Sequence, residues 1–329
     1  MKKITLLFLF LSSFAAFPQK EELDKILYSS TPKPFSGVVL IAKNKKIKYF
    51  KAQGFTDVST NQVLNKKDKF FLGSLSKQIT AVQVLRAADN GLLSVEDSVI
   101  KFIPDFAYAD VKIKHLLSHK HGISGPEGPK TFETGTSFAY SDYGYHLLSI
   151  ILEKIYQKPF AEISQTFFNE IGLKNTSATG IKTDLVVGII RNEKGDLIEQ
   201  PKDFSDKYVA GGLMISTASD LLKWNRLLHL GKLLKPETYT AMTTGYSIQN
   251  HKLMGEVDYG YGIRISRNLK HVEIGHTGYA AGFITLNYFY PATKTSVIIL
   301  ENLIWNENDL KEAFYQQMKI KDWVDKNQD

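Results

Sequence analysis

The chain has 329 residues, 43% apolar and 23% charged, an ordinary globular composition that excludes a disordered or fibrous protein. It has no cysteine, which excludes disulfides, thiolate metal sites, a cysteine nucleophile and a lipidated N-terminal Cys. The formal charge of +7, or +5 once Lys2 and Lys3 leave with a signal segment, falls far short of a nucleic-acid footprint.

In chain order, residues 1–19 read as a secretory signal: Lys2 and Lys3, an apolar run from Ile4, then small residues near Ala15 and Ala16. The run is shorter than the roughly 20 residues a membrane span needs. Cleavage between Ala15 and Gln19 is therefore expected, leaving a secreted or periplasmic protein with no stable membrane span. A short helix is predicted over 21–30, then a basic hairpin of strands 37–43 and 46–52 turning at Asn44, its lysines on a solvated face.

The stretch Phe70 to Lys77, "FFLGSLSK", ends an apolar run and opens a helix. Ser74 and Lys77 match S-x-x-K, and three residues apart on a helix they share one face. A serine needs a neighbouring base to act as a nucleophile. Lys77 qualifies if burial disfavours its ammonium form. The helix N-terminus would stabilise developing negative charge at Ser74. The helix is apolar nearly all round, which marks it as buried, and Asn90-Gly91 is its stop signal.

Residues 91–125 read as short helices and loops. His115, His119 and His121 form H-x3-H-x-H, but no nearby carboxylate completes a ligand set, so a helix end with a turn at Gly122 is preferred over a metal. Tyr140 precedes a periodic helix and either faces a cleft or is core with a satisfied hydroxyl. Asp142 beside it also reads as a helix N-cap. A helix capped by Ser216/Thr217 is predicted over 220–230, and 243–257 is read as a loop with no specific chemistry. Three strands follow, 271–276, 282–290 and 295–301, joined by residues 277–281 and by a Pro291-Ala292-Thr293 turn, before a closing helix over 307–325. No repeat, low-complexity segment or glycine-rich phosphate loop is present.

Ser74-x-x-Lys77, Tyr140-Ser141-Asp142 and His276-Thr277-Gly278, with the segments "VKIKHLLSHKHGISG", "AGGLMISTASDL" and "YGYGIRI", resemble the serine β-lactamase and penicillin-binding-protein superfamily. The nearest branch is class C β-lactamase-like, with its esterases and D-amino-acid peptidases. The resemblance implies an α+β fold: an antiparallel sheet built from both chain ends (20–90 and 250–329) and a mostly helical domain between (91–249). It places the site between the two. Ser74 is then the nucleophile, with Lys77 and Tyr140 the shared base. The oxyanion hole is the N–H of Ser74 and of Tyr279, His276 and Thr277 line the substrate strand, and Gly278 lets backbone approach closely. No metal or organic cofactor is implied. The partner is a small-molecule or peptide substrate, possibly cell-wall derived.

Two departures narrow this reading. An Asn is usual where Asp142 stands, and an ionised carboxylate cannot donate to a substrate carbonyl. Beside Lys77 it would favour the ammonium form and shift the base role towards Tyr140. His276 stands where a lysine is common, and a largely neutral imidazole holds a carboxylate less firmly. Both favour an esterase or D-amino-acid peptidase over a class C-like β-lactamase, with a non-catalytic binder of cell-wall fragments as the alternative of another class.

Overall fold

Asn44 and Lys45 both have positive φ, 49° and 68°, and close a tight hairpin whose first strand, "GVVLIAK", is buried on both faces. That strand belongs to the molecule's main sheet, one place in from its edge, in a computed structural model, which describes residues 16–60, 62–126, 128–178, 185–201, 209–267, 270–280 and 282–328. The predicted signal segment lies outside the described residues as far as Ala15.

The strands are β1 Gly37–Lys43, β2 Lys46–Gln53, β3 Phe70–Phe71, β4 Ile189–Arg191, β5 Leu197–Glu199, β6 Ile215–Ser216, β7 Ser247–His251, β8 Gly255–Tyr259, β9 Arg264–Ser266, β10 Glu273–Ala280, β11 Phe283–Tyr290, β12 Thr295–Glu301 and β13 Leu303–Ile304. The helices are α1 Ala16–Leu27, α2 Ser76–Asp89, α3 Ile113–Leu117, α4 Asp142–Tyr156, α5 Phe160–Ile171, α6 Ala218–His229, α7 Pro236–Met242, α8 Leu310–Ala313 and α9 Tyr315–Lys326. The eight-stranded antiparallel sheet runs β2-β1-β12-β11-β10-β9-β8-β7, so β1 from one end of the chain pairs with β12 from the other, Gly37 opposite Glu301. Most of the helices lie between β2 and β7 in sequence, as expected.

Side chains alternate between the two faces, and both faces are covered, which explains the continuous apolar runs Val38–Ala42 in β1 and Val297–Leu300 in β12. Val38, Leu40 and Ala42 join Ile298 and Leu300 in the cluster that includes α2, α4, α5 and α6. Val39 and Ile41 join Val297 and Ile299 in a second cluster, under Leu23 and Leu27 of α1 and Ile320 and Val324 of α9. Lys46 and Lys48 of β2 stay in solvent, the solvated face expected of the basic hairpin.

Three local expectations need correction. The His276-Thr277-Gly278 stretch lies inside β10, where Thr277 pairs with Leu286, and is not a connection between strands. The segment read as a loop holds β7 and β8, whose half-exposed, polar sequences carry little hydrophobic signal. The closing helix breaks at Phe314 into α8 and α9.

Burial pushes His115 and His121 down to about 4, and His229 and His251 to about 3. In the unfolded chain these imidazoles take a proton near pH ~6.5. Below that value the unfolded state binds more protons than the native one, so stability falls as pH drops from about 6.5 towards 4. Thermal melts from pH 7.5 to 4.5 should show the midpoint falling steadily across that window. A flat midpoint would contradict the burial of these rings.

Candidate active site

Gly73 has φ of 55°, and a Cβ there would lie 2.5 Å from the Tyr279 nitrogen and 2.8 Å from Gly278 Cα, so only glycine fits. A Cβ on Gly278 would fall 2.0 Å from the Leu72 carbonyl oxygen, which already accepts from Thr285 Oγ1 at 2.6 Å. On its other side Leu72 N–H donates to the Met214 carbonyl at 2.8 Å. The turn carrying Ser74 is thus clamped between β10–β11 and residues 209–214. Ser74 sits in a 3₁₀ turn, Gly73–Leu75, one step before α2, and the Tyr279 N–H lies beside that turn.

Lys77 is fully buried on the first turn of α2. Its Nζ meets three acceptors: Ser74 Oγ at 3.2 Å, Asp142 Oδ1 at 2.5 Å and the Gly211 carbonyl, from a π-turn at Val209–Leu213, at 2.6 Å. Three acceptors match the three N–H bonds of an ammonium. Nζ also lies 4.8 Å from the ring centroid of Tyr140, so lysine meets the face of that ring. The Tyr140 hydroxyl is buried and has no hydrogen-bond partner among the described residues. Asp142 opens α4; the N-cap itself is Ser141, whose Oγ accepts from Gly144 N–H.

His276 is fully buried and does not wall the cleft. It belongs to a polar chain behind Tyr140. Ser141 N–H donates to His119 Nδ1 at 3.1 Å, which leaves the proton of neutral His119 on Nε2, 3.1 Å from the Tyr259 hydroxyl. That hydroxyl is also 3.1 Å from His276 Nε2. His276 Nδ1 lies between Arg264 Nη1, an obligate donor at 3.0 Å, and the Thr277 carbonyl, an obligate acceptor at 2.5 Å. Burial, reinforced by Arg264, holds the His276 imidazolium well below its ordinary range, and burial with Lys77 nearby does the same to His119.

The cleft holds about 570 Å³ and is walled by Ser74, Tyr140, Arg264, Thr277, Gly278 and Tyr279, among others. A buried permanent cation in its wall is Arg264 of β9, which pairs with Gly275; Arg264 Nη1 donates to Thr277 Oγ1 at 2.9 Å and Arg264 Nε to Gln249 Oε1 at 2.8 Å. Sequence reasoning missed Arg264, Tyr259 and His119 as site residues, although "YGYGIRI" and "LLSHKHG" contain them. The three histidines of H-x3-H-x-H diverge: His115 Nδ1 accepts from Lys112 N–H and His121 Nδ1 from Ile123 N–H, and no cluster able to hold a metal ion occurs among the described residues.

A serine in the turn that leads into a helix and a buried lysine on that helix's first turn, beside a tyrosine and the inner strand of an antiparallel sheet, define a serine hydrolase of the β-lactamase and penicillin-binding-protein type. The chain belongs to the Beta-lactamase family, whose sequence profile matches residues 33–317. It is 24% identical over 310 residues to Penicillin-binding protein 4* of Bacillus subtilis (strain 168), covering 82% of this chain and 68% of that protein. It is 22% identical over 286 residues to the Teichoic acid D-alanine hydrolase of Staphylococcus aureus, covering 79% of this chain and 69% of that one. The D-amino acid amidase of Ochrobactrum anthropi SV3 shares the fold, with a TM-score of 0.83 at 17% identity over 94% of this chain and 99% of that one. No helix of the described residues is long and apolar enough to cross a membrane.

Proposed function

We propose that this hydrolase forms an acyl-enzyme on Ser74 and cleaves an ester or amide of a D-amino acid, with cell-wall material as its source and a site of action outside the cytoplasm. The observation that carries the reading is the 3.2 Å contact between Ser74 Oγ and the buried Lys77 Nζ. Ser74 Oγ attacks the acyl carbon and its proton passes to the Lys77–Tyr140 pair. Tyr140, with its hydroxyl unpartnered, protonates the departing alcohol or amine. Water then takes the leaving group's place and releases the acid. Lys77 Nζ as placed donates to three acceptors, so Tyr140 carries the first transfer as its phenolate, held beside the Lys77 ammonium, and becomes the phenol that protonates the leaving group. The Ser74 and Tyr279 N–H groups face the developing oxyanion. The relatives named for D-alanine and D-amino acid substrates support the D-configuration.

A fluorophosphonate probe should label Ser74 stoichiometrically and stop hydrolysis of p-nitrophenyl butyrate. Continued hydrolysis with Ser74 fully labelled would overturn the assignment.

Arg264 gives the leaving side an anion-binding group that neutral His276 does not supply. Arg264→Gln should raise KM about tenfold or more for a D-aminoacyl dipeptide relative to its C-terminal amide, since a charged hydrogen bond is lost. A rise equal for both substrates would show that Arg264 only supports the strand. A β-lactam carries a comparable carboxylate, so a chromogenic cephalosporin belongs in the same panel.

A further inference from the structure

Asp142 combines features that the acyl-transfer chemistry alone does not require. Its side chain is 64% exposed, whereas that of its partner Lys77 is wholly buried. Lys77 occupies Oδ1, and no described residue bonds Oδ2. One ammonium links this carboxylate to the nucleophile, because Lys77 Nζ contacts both Asp142 Oδ1 and Ser74 Oγ. Asp142 thus stands one ammonium away from the hydroxyl that takes the acyl group. Asp142 also sits in the first turn of the 15-residue helix α4, whose N-terminus favours the carboxylate. The cleft beside Ser74 is lined by charges of both signs, Arg264, Lys252 and Lys311 with Glu307 and Asp309.

An α-amino acid ester or amide places its nitrogen two bonds from the scissile carbonyl carbon. As a free ammonium, that nitrogen brings three donors and a positive charge to Asp142 Oδ2. As an N-acyl group, it brings a carbonyl oxygen, which a carboxylate repels and cannot satisfy. We infer that Asp142 is a specificity residue that selects substrates with a free α-ammonium on the acyl side and rejects N-acylated ones. The inference rests on Ser74 being the point of acyl transfer, since this defines which side of the substrate meets Asp142. A second cation on the carboxylate also weakens its pull on the Lys77 proton, so the preferred substrate helps to free its own base.

The decisive measurement separates binding from turnover. In Ser74→Ala, D-phenylalaninamide should bind about ten- to a hundredfold more tightly than N-acetyl-D-phenylalaninamide, followed by ligand titration in NMR spectra. Adding Asp142→Asn should reduce that ratio to near one, while Asp142→Glu, which keeps the charge, should retain most of it. Equal affinities in Ser74→Ala, or a ratio that survives Asp142→Asn, would overturn the inference. In the enzyme with Ser74 intact, the ratio of kcat/KM between D-phenylalanine p-nitroanilide and its N-acetyl form should collapse in the same variant. Taking the ratio cancels any effect of Asp142 on the base common to both substrates. If Ser74 is never acylated, the catalytic reading fails by itself, and the two affinities still decide the role of Asp142.

Discussion

Ser74→Ala should lower kcat/KM for an activated D-aminoacyl ester by about 10⁴- to 10⁶-fold, Lys77→Met by nearly as much, and the double variant by no more than the worse single one. The reason is that the two side chains act as a unit. Without Lys77 Nζ, Ser74 Oγ loses its side-chain partner at 3.2 Å, and Asp142 and the Gly211 carbonyl lose the cation that joins them. Without Ser74, the Lys77–Tyr140 pair has no hydroxyl to deprotonate. Steady-state kinetics on the four proteins, with residual rates compared with buffer, check this. Additive losses would mean that Lys77 stabilises the site independently of the nucleophile. A lysine variant retaining a tenth of the activity would move the base role wholly to Tyr140.

Lys33→Met should destabilise the protein by about 3–5 kcal/mol, the usual cost of stripping a partner from a buried ion pair. Lys33 Nζ and Glu301 Oε1 lie 2.5 Å apart with both side chains fully buried. The other Glu301 oxygen accepts from Gln317 of α9, so the pair ties the segment before β1 to the end of β12 and to the C-terminal helix. Burial already pushes the Glu301 carboxyl above its ordinary range, against the pull of Lys33. Losing Lys33 raises it further. A carboxyl raised in the folded state contributes stability at low pH that is lost as pH climbs past the ordinary carboxylate range. The deficit should therefore be larger at pH 8 than at pH 5. Urea unfolding at both values tests this, and Lys33→Met with Glu301→Leu should recover much of the loss by removing the orphaned charge. A single-variant deficit under about 1 kcal/mol would show that water or rearrangement rescues the carboxylate.

Much of the architecture could be read from the chain because its signals are local. The β1–β2 hairpin follows from two strand-like runs either side of a turn at Asn44, and the burial of α2 follows from apolar residues on every side of it. Ser74 and Lys77 were legible for the same reason, since a spacing of three fixes their shared face. Arg264 was not, because its place beside Thr277 depends on the pairing of β9 with β10, which no short pattern encodes. The position of His276 was misjudged for a related reason. A histidine in a strand can face either side, and the side was settled by Tyr259 and Arg264 from elsewhere in the sheet. The polar strands β7 and β8 carry little hydrophobic signal because β7 sits at the sheet edge and β8 is half-exposed, with only Val257 and Tyr259 buried. Ser141, not Asp142, caps α4, which leaves the aspartate free to face Lys77.

The pairing of β1 with β12 also sets a timetable for synthesis. Residues joined at that seam, such as Lys33 and Glu301, are 268 positions apart. At a translation rate of about 5–20 residues per second, the first hairpin waits on the order of 10–50 s before its partner strand exists. Throughout that interval β1 exposes an apolar, unpaired edge, the kind of surface on which strands of other chains assemble. The main sheet cannot close while the chain is still being made, so a chaperone or an export factor that holds the nascent N-terminal segment should raise the folded yield more than one acting on the finished chain.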